Sequence, residues 1–182
     1  MRISGGVWLS AVIAAAATGT ATMAGDAPAA SPSLCAAGEE AVLACGVDGG
    51  KVVSLCARDG LLQYRFGKAG APEMVWPDRP APAKGRFFLS TTAFAGGGEE
   101  RIRFSNGGYD YVVFQRDVAL DWNPDGTRDR HQDEGVVVLK AGKVVGRRIC
   151  ARGLINDGFP KMYDLLEREE TEPLDIPCCA GK

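Results

Sequence analysis

The sequence predicts an all-β domain, an antiparallel small barrel or sandwich of about eight to nine strands, tied by disulfides and ending in a short C-terminal helix. Three observations predict it. Apolar and polar residues alternate with period two from Glu39 onward, which is the pattern of strands with one buried face. Glycine-centred turn signals interrupt that alternation at intervals of about ten residues. No long stretch of 3.6-residue apolar period precedes residue 159, which disfavours a helical fold.

The elements follow in order. Val42 to Val47 and Val52 to Cys56 flank Asp48-Gly49-Gly50, a hairpin signature. Leu61 to Phe66 and Glu73 to Trp76 flank Gly67 to Pro72, and a proline-rich break follows from Pro77 to Gly85. Arg86 to Phe94 is the next strand. A glycine run, Gly96-Gly97-Gly98, then precedes a strand with Arg101 and Arg103 on one face and Ile102 and Phe104 on the other. Asn106-Gly107 turns the chain into Tyr109 to Phe114. Gly135 to Lys140 and Lys143 to Ile149 form a last hairpin around Ala141-Gly142. Beyond it, Asp157, Gly158 and Pro160 resemble a helix start, with Met162, Leu165 and Leu166 as an apolar stripe through Glu169.

The N-terminus reads as an export signal. Arg2 precedes an apolar run from Val7 to Thr18, and small residues lead to Ala24, after which cleavage is expected. Residues 25–38 then form a flexible Pro/Ala/Ser linker, 39–150 the β domain and 151–182 a tail. The apolar run is shorter than the roughly 20 residues a spanning helix needs, so a soluble periplasmic or secreted product is expected. The 182-residue chain has six cysteines, one histidine and a formal net charge of -2. That charge gives no field favouring nucleic acid.

Six cysteines in an exported chain read as disulfides. Pairing Cys45 with Cys150 would tie the first strand to the last, closing a loop of about 100 residues worth about 4 to 5 kcal/mol in the chain-entropy view. Cys35 with Cys56 would hold the N-terminal arm. Other pairings remain open, and adjacent Cys178 and Cys179 are expected to bond elsewhere or between chains.

Two segments are candidate sites. Gly96, Gly97 and Gly98 predict a protruding loop beside a rigid sheet, because glycine tolerates positive φ and such loops commonly bind. Arg101, Arg103, Ser105, Asn106 and Tyr109 lie beside it, and Tyr/Arg clusters are the composition of interface anchors. The alternative is ordinary cross-strand pairing. In the second segment, Asp121, Asn123, Asp125 and Asp129 fall at positions 1, 3, 5 and 9 of an EF-hand-like loop with Gly126 at position 6. Calcium is therefore the one cofactor considered, and a solvated acidic turn is the alternative. Gln132 at position 12 and Arg128 at position 8 depart from the pattern.

No catalytic residues are assigned. The only histidine is His131, no GxSxG elbow occurs, and Glu99 and Glu100 are neighbours that a strand points to opposite faces. A non-catalytic binding protein is expected.

The order of features resembles the secreted inhibitors of c-type lysozyme, a family of small antiparallel barrels. The resemblance rests on Cys45, the loop Ala95 to Gly98, the turn Asn106-Gly107, the strand Tyr109 to Phe114, the hairpin Gly135 to Val145, and Cys150. It covers about residues 40 to 150 as a pattern. Leu62 to Gly67 (LQYRFG) also resembles a stretch of exported proteobacterial proteins. The resemblance implies a loop inserted into a muramidase cleft and hence a lysozyme-like protein partner. The family's loop serine would fall at Ala95 and its tyrosine near Arg101, so neither side chain is present. Ser105 to Tyr109 offers a hydroxyl, a flexible backbone and an aromatic tip instead. The alternative function is a cell-envelope structural or carbohydrate-binding module, with calcium stabilisation as a variant of it.

Overall fold

Period-two alternation would place one set of side chains in a common core and the other outside, but several strands instead carry runs of consecutive buried residues. The computed structural model describes residues 1, 32–151 and 158–174. Contacts divide the chain into Met1–Ala30 and Ser31–Lys182. Apart from Met1, the described residues belong to the second unit, whose architecture follows. The expected export signal beyond Met1, linker residues 25–31, Cys178 and Cys179 lie outside the described residues.

One sheet has the order β1 (Glu40–Val47), β2 (Lys51–Arg58), β3 (Leu61–Lys68), β4 (Ala71–Pro82). The other contains β5 (Phe88–Phe94), β6 (Gly97–Asn106), β7 (Tyr109–Trp122), β8 (Arg128–Lys140) and β9 (Lys143–Ile149), with a short β10 (Glu167–Arg168) beside β5. All pairs are antiparallel except β10 with β5, which is parallel. The fold is all-β, as expected, and the two sheets do not close into a barrel.

Both sheets feed one core. Leu43, Val53, Leu55, Leu62 and Tyr64 from the first meet Leu89, Ile102, Phe104, Val113 and Val136 from the second. Each such side chain contributes about 1.5–3 kcal/mol relative to exposure. Phe104 anchors an aromatic stack, with its ring 4.6 Å from Trp76 and 5.0 Å from Tyr111. Disulfides join Cys35 to Cys56 and Cys45 to Cys150. Next to the second, the Ala151 amide donates to the Gly46 carbonyl at 2.9 Å, so the chain leaving β9 is fastened to β1.

Four expectations are corrected. The helix near residue 160 is a single 3-10 turn, Pro160–Met162. Phe159, Met162 and Leu166 bury themselves in the core, and β10 then takes up the free edge of β5, ending the turn. The proline-rich break begins as strand, because β4 is an edge strand and its prolines forfeit no interior ladder bond. Linker residues 32–38 are held down: the Leu34 amide donates to Ser54 Oγ at 3.0 Å, and Arg65 donates to the Leu34 carbonyl at 2.7 Å. The β6–β7 turn is Gly107-Gly108, one residue later than expected, with Asn106 opposite Tyr109. Both glycines have positive φ (59° and 78°), as a two-residue hairpin turn matching strand twist requires.

Candidate functional site

The glycine run is not a protruding loop. Ala95 and Gly96 alone make the β5–β6 turn, while Gly97 and Gly98 are strand residues opposite Val118 and Asp117. A Cβ on Gly97 would overlap the Asp117 carbonyl. Glycine is needed there for close strand approach, which corrects the expectation of a free loop at Gly96, Gly97 and Gly98.

Arg101 and Arg103 project from the outer face of β6, and the returning tail covers them. Arg101 is only 2% exposed. It donates to the carbonyls of Thr171 and Glu172 and to Thr92 Oγ1, and pairs with Glu99 at 3.3 Å. Glu99 accepts from the Leu174 amide at 3.2 Å and faces Arg116 at 3.8 Å. Arg116 in turn grips Asp133 through two contacts of 2.8 and 2.6 Å. Arg103 holds Glu169 at 2.7 Å. A ribbon of alternating charge therefore runs across β6, β7 and β8 beneath the tail. Burial pushes the Glu99 carboxyl above its ordinary range and the Arg101 guanidinium below its own.

Arg101 is thus a brace for the tail, and its guanidinium is not presented to solvent as an interface anchor would be. Sequence reasoning missed Glu99, Arg116 and Asp133 as its companions. The available signal was the Glu-x-Arg-x-Arg alternation at 99–103 matched with an acidic tail, Glu169, Glu170 and Glu172.

The exposed part of the segment is the β6–β7 tip. Ser105, Asn106, Gly107 and Gly108 are exposed and Tyr109 is half-buried. Side chains at its base are tied together. Arg103 donates to Ser105 Oγ at 3.0 Å, Ser105 donates to Asp110 Oδ1 at 2.5 Å, and Arg103 pairs with Asp110 at 3.3 Å. The Lys140 ammonium lies 5.0 Å from the Tyr109 ring centroid. Since Arg103 also holds Glu169, one guanidinium links the tip to the tail.

The candidate calcium segment is a hairpin turn. Asp121 is the penultimate residue of β7, Asp129 the second of β8, and Asn123 to Thr127 reverse the chain. Asp125 accepts from both the Thr127 amide (2.9 Å) and hydroxyl (2.7 Å), while Asn123 donates to Thr127 Oγ1. These bonds hold the Asp125 carboxyl below its usual range, the hydroxyl being the larger cause. Asp121, Asp125 and Asp129 do not converge into a ligand group. Among the described residues the single cluster within 4.8 Å is Cys35, Glu39 and Cys56, whose sulfurs are consumed in a disulfide. The Asp125–Thr127 bonds make this segment an Asx-type turn.

Glu99 and Glu100 do point to opposite faces. Glu100 accepts hydrogen bonds from Gln115 and from the Tyr163 hydroxyl. His131 lies on β8, opposite Val118. Comparison with protein-family models, with curated proteins and with solved structures returned no match for this chain.

Proposed function

We propose that this is an exported, non-catalytic binding protein of the lysozyme-inhibitor type, which inserts a hairpin tip into the cleft of a muramidase. The observation that carries the proposal is the exposed Ser105–Gly108 tip, followed by half-buried Tyr109, with its base braced by Arg103 and Asp110. A preorganised tip spends little conformational entropy on docking. The site moves from Gly96–Gly98 to this turn. Ser105 and Asn106 supply polar contacts, Gly107-Gly108 gives close backbone approach, and Tyr109 with Lys140 supplies an aromatic surface and a cation for a carboxylate-bearing cleft.

The test is muramidase activity on cell walls with and without the protein, across c-, g- and i-type enzymes. Inhibition is expected with at least one of them, and Tyr109→Ala should weaken it by about ten-fold or more. No inhibition at micromolar excess would sink the proposal. Trp122, 70% exposed beside Arg128, favours a second reading as a glycan-binding module. Retention on peptidoglycan that is lost in Trp122→Ala, without muramidase inhibition, would select it.

A further inference from the structure

A cavity of about 280 Å³ opens between the two sheets. Its wall includes Tyr64, Phe66, Met74, Tyr111, Val138 and Gly146, with Glu73, Arg147 and Arg148 also along it. That size is just below the range of about 300–1,000 Å³ typical of small-molecule sites. The interior is aromatic and aliphatic, whereas the ionic groups come from exposed positions of β4 and β9.

One further feature points to an occupant. Tyr64, 2% exposed, forms part of the cavity's apolar wall. Gly146 stands opposite Val138 on the same face. Its backbone is outside the left-handed region, and an added Cβ would meet Val138 at an ordinary 3.7 Å. Nothing in the backbone demands glycine there, yet its missing side chain leaves room in the cavity wall.

The charge at the mouth sets the ligand class. Glu73 is neutralised by Lys51 at 2.8 Å. Arg148 lies 6.0 Å from the Phe66 ring centroid and makes no ion pair among the described residues. An apolar interior with a cationic rim fits a chain that is hydrocarbon at one end and anionic at the other.

We propose that this cavity binds a medium-chain fatty-acid-type carboxylate, with its hydrocarbon between Tyr64, Phe66, Met74 and Val138 and its carboxylate at Arg148. The proposal is independent of muramidase binding. Titration calorimetry of the disulfide-intact protein with decanoate, decanol and decyltrimethylammonium tests it. Decanoate should saturate one site below about 1 mM. Decanol should bind about five-fold more weakly, and the cationic analogue more weakly still. Arg148→Ala should abolish the preference for decanoate over decanol. Gly146→Phe, which fills the cavity, should abolish binding while keeping a cooperative melt. If Gly146→Phe fails to fold, Val138→Phe serves as the second filling variant. Absence of saturable decanoate binding, equal affinity for decanol, or full binding by a folded filled variant would each overturn the proposal.

Discussion

Arg101 and Glu99 sit two residues apart on the outer face of β6, 3.3 Å from one another, and neither is more than 2% exposed. Their partners include two carbonyls and an amide of the chain's own returning tail. The tail is therefore bound by a buried, charged strand face, and it leaves the hairpin tip as the exposed part of the segment.

Removing one member of that pair should be expensive. Arg101→Ala is expected to cost about 3–5 kcal/mol, because Glu99 is left buried without its nearest cation. The double variant Arg101→Met with Glu99→Leu should recover much of that loss. Urea unfolding of the three proteins measures it, and a single-variant cost under about 1 kcal/mol would contradict a buried pair.

The acid limb of stability should carry two opposite signs. The bidentate Arg65 guanidinium holds the Glu39 carboxyl below its ordinary 4.5. That pair therefore stabilises the fold above pH 4.5, and its contribution is lost as pH falls through the folded-state value. Glu39→Gln should cost about 1–3 kcal/mol at pH 7, and the gap should narrow toward pH 3. Glu99 behaves inversely. Burial raises its value, so the folded protein holds that proton more tightly and stability is lost as pH rises from 4.5 through the folded-state value. Glu99→Gln should therefore gain on the wild type as pH rises. Parallel pH curves for wild type and variant would contradict either assignment.

The two disulfides differ in the loop they close, with sequence separations of 105 and 21 residues. Replacing Cys45 and Cys150 by alanine should cost about 4–5 kcal/mol, and replacing Cys35 and Cys56 about 3 kcal/mol. Denaturant midpoints of the two double variants rank them. The reverse order would show that the N-terminal arm matters more than the tie from β1 to the end of β9.

Glycines in one segment should respond differently. Gly97→Ala places a methyl group against the Asp117 carbonyl and should cost about 2 kcal/mol or more. Gly107 meets nothing within 4 Å, and its φ is +59°, so Gly107→Ala should cost only about 1 kcal/mol, and Gly107→Asn less. Thermal melts decide; equal costs would mean that the close approach at Gly97 relaxes easily.

Nine strands and both disulfides were legible in the chain because each rests on a local pattern. Val42 to Val47 is a short apolar run bounded by a turn signal, Ala141-Gly142 turns by itself, and Cys45 and Cys150 lie near the ends of the first and last strands so marked. The geometry of the glycine run and of the acidic segment needed more than a local pattern. Gly97 is glycine because of Asp117 on another strand, and Asp125 spends its carboxylate on Thr127. Neither fact is carried by residue type or spacing alone.

The sequence by itself determined the all-β class, the hairpin order and the cysteines available to tie it, since period-two burial and turn chemistry act over a few residues. Only the tertiary structure decided which charges are surface and which are interior. Arg101 is separated from Glu172 by 71 positions, and no local pattern reports that the tail returns across β6. Burial depends on what covers a residue, and that covering comes from a distant part of the chain.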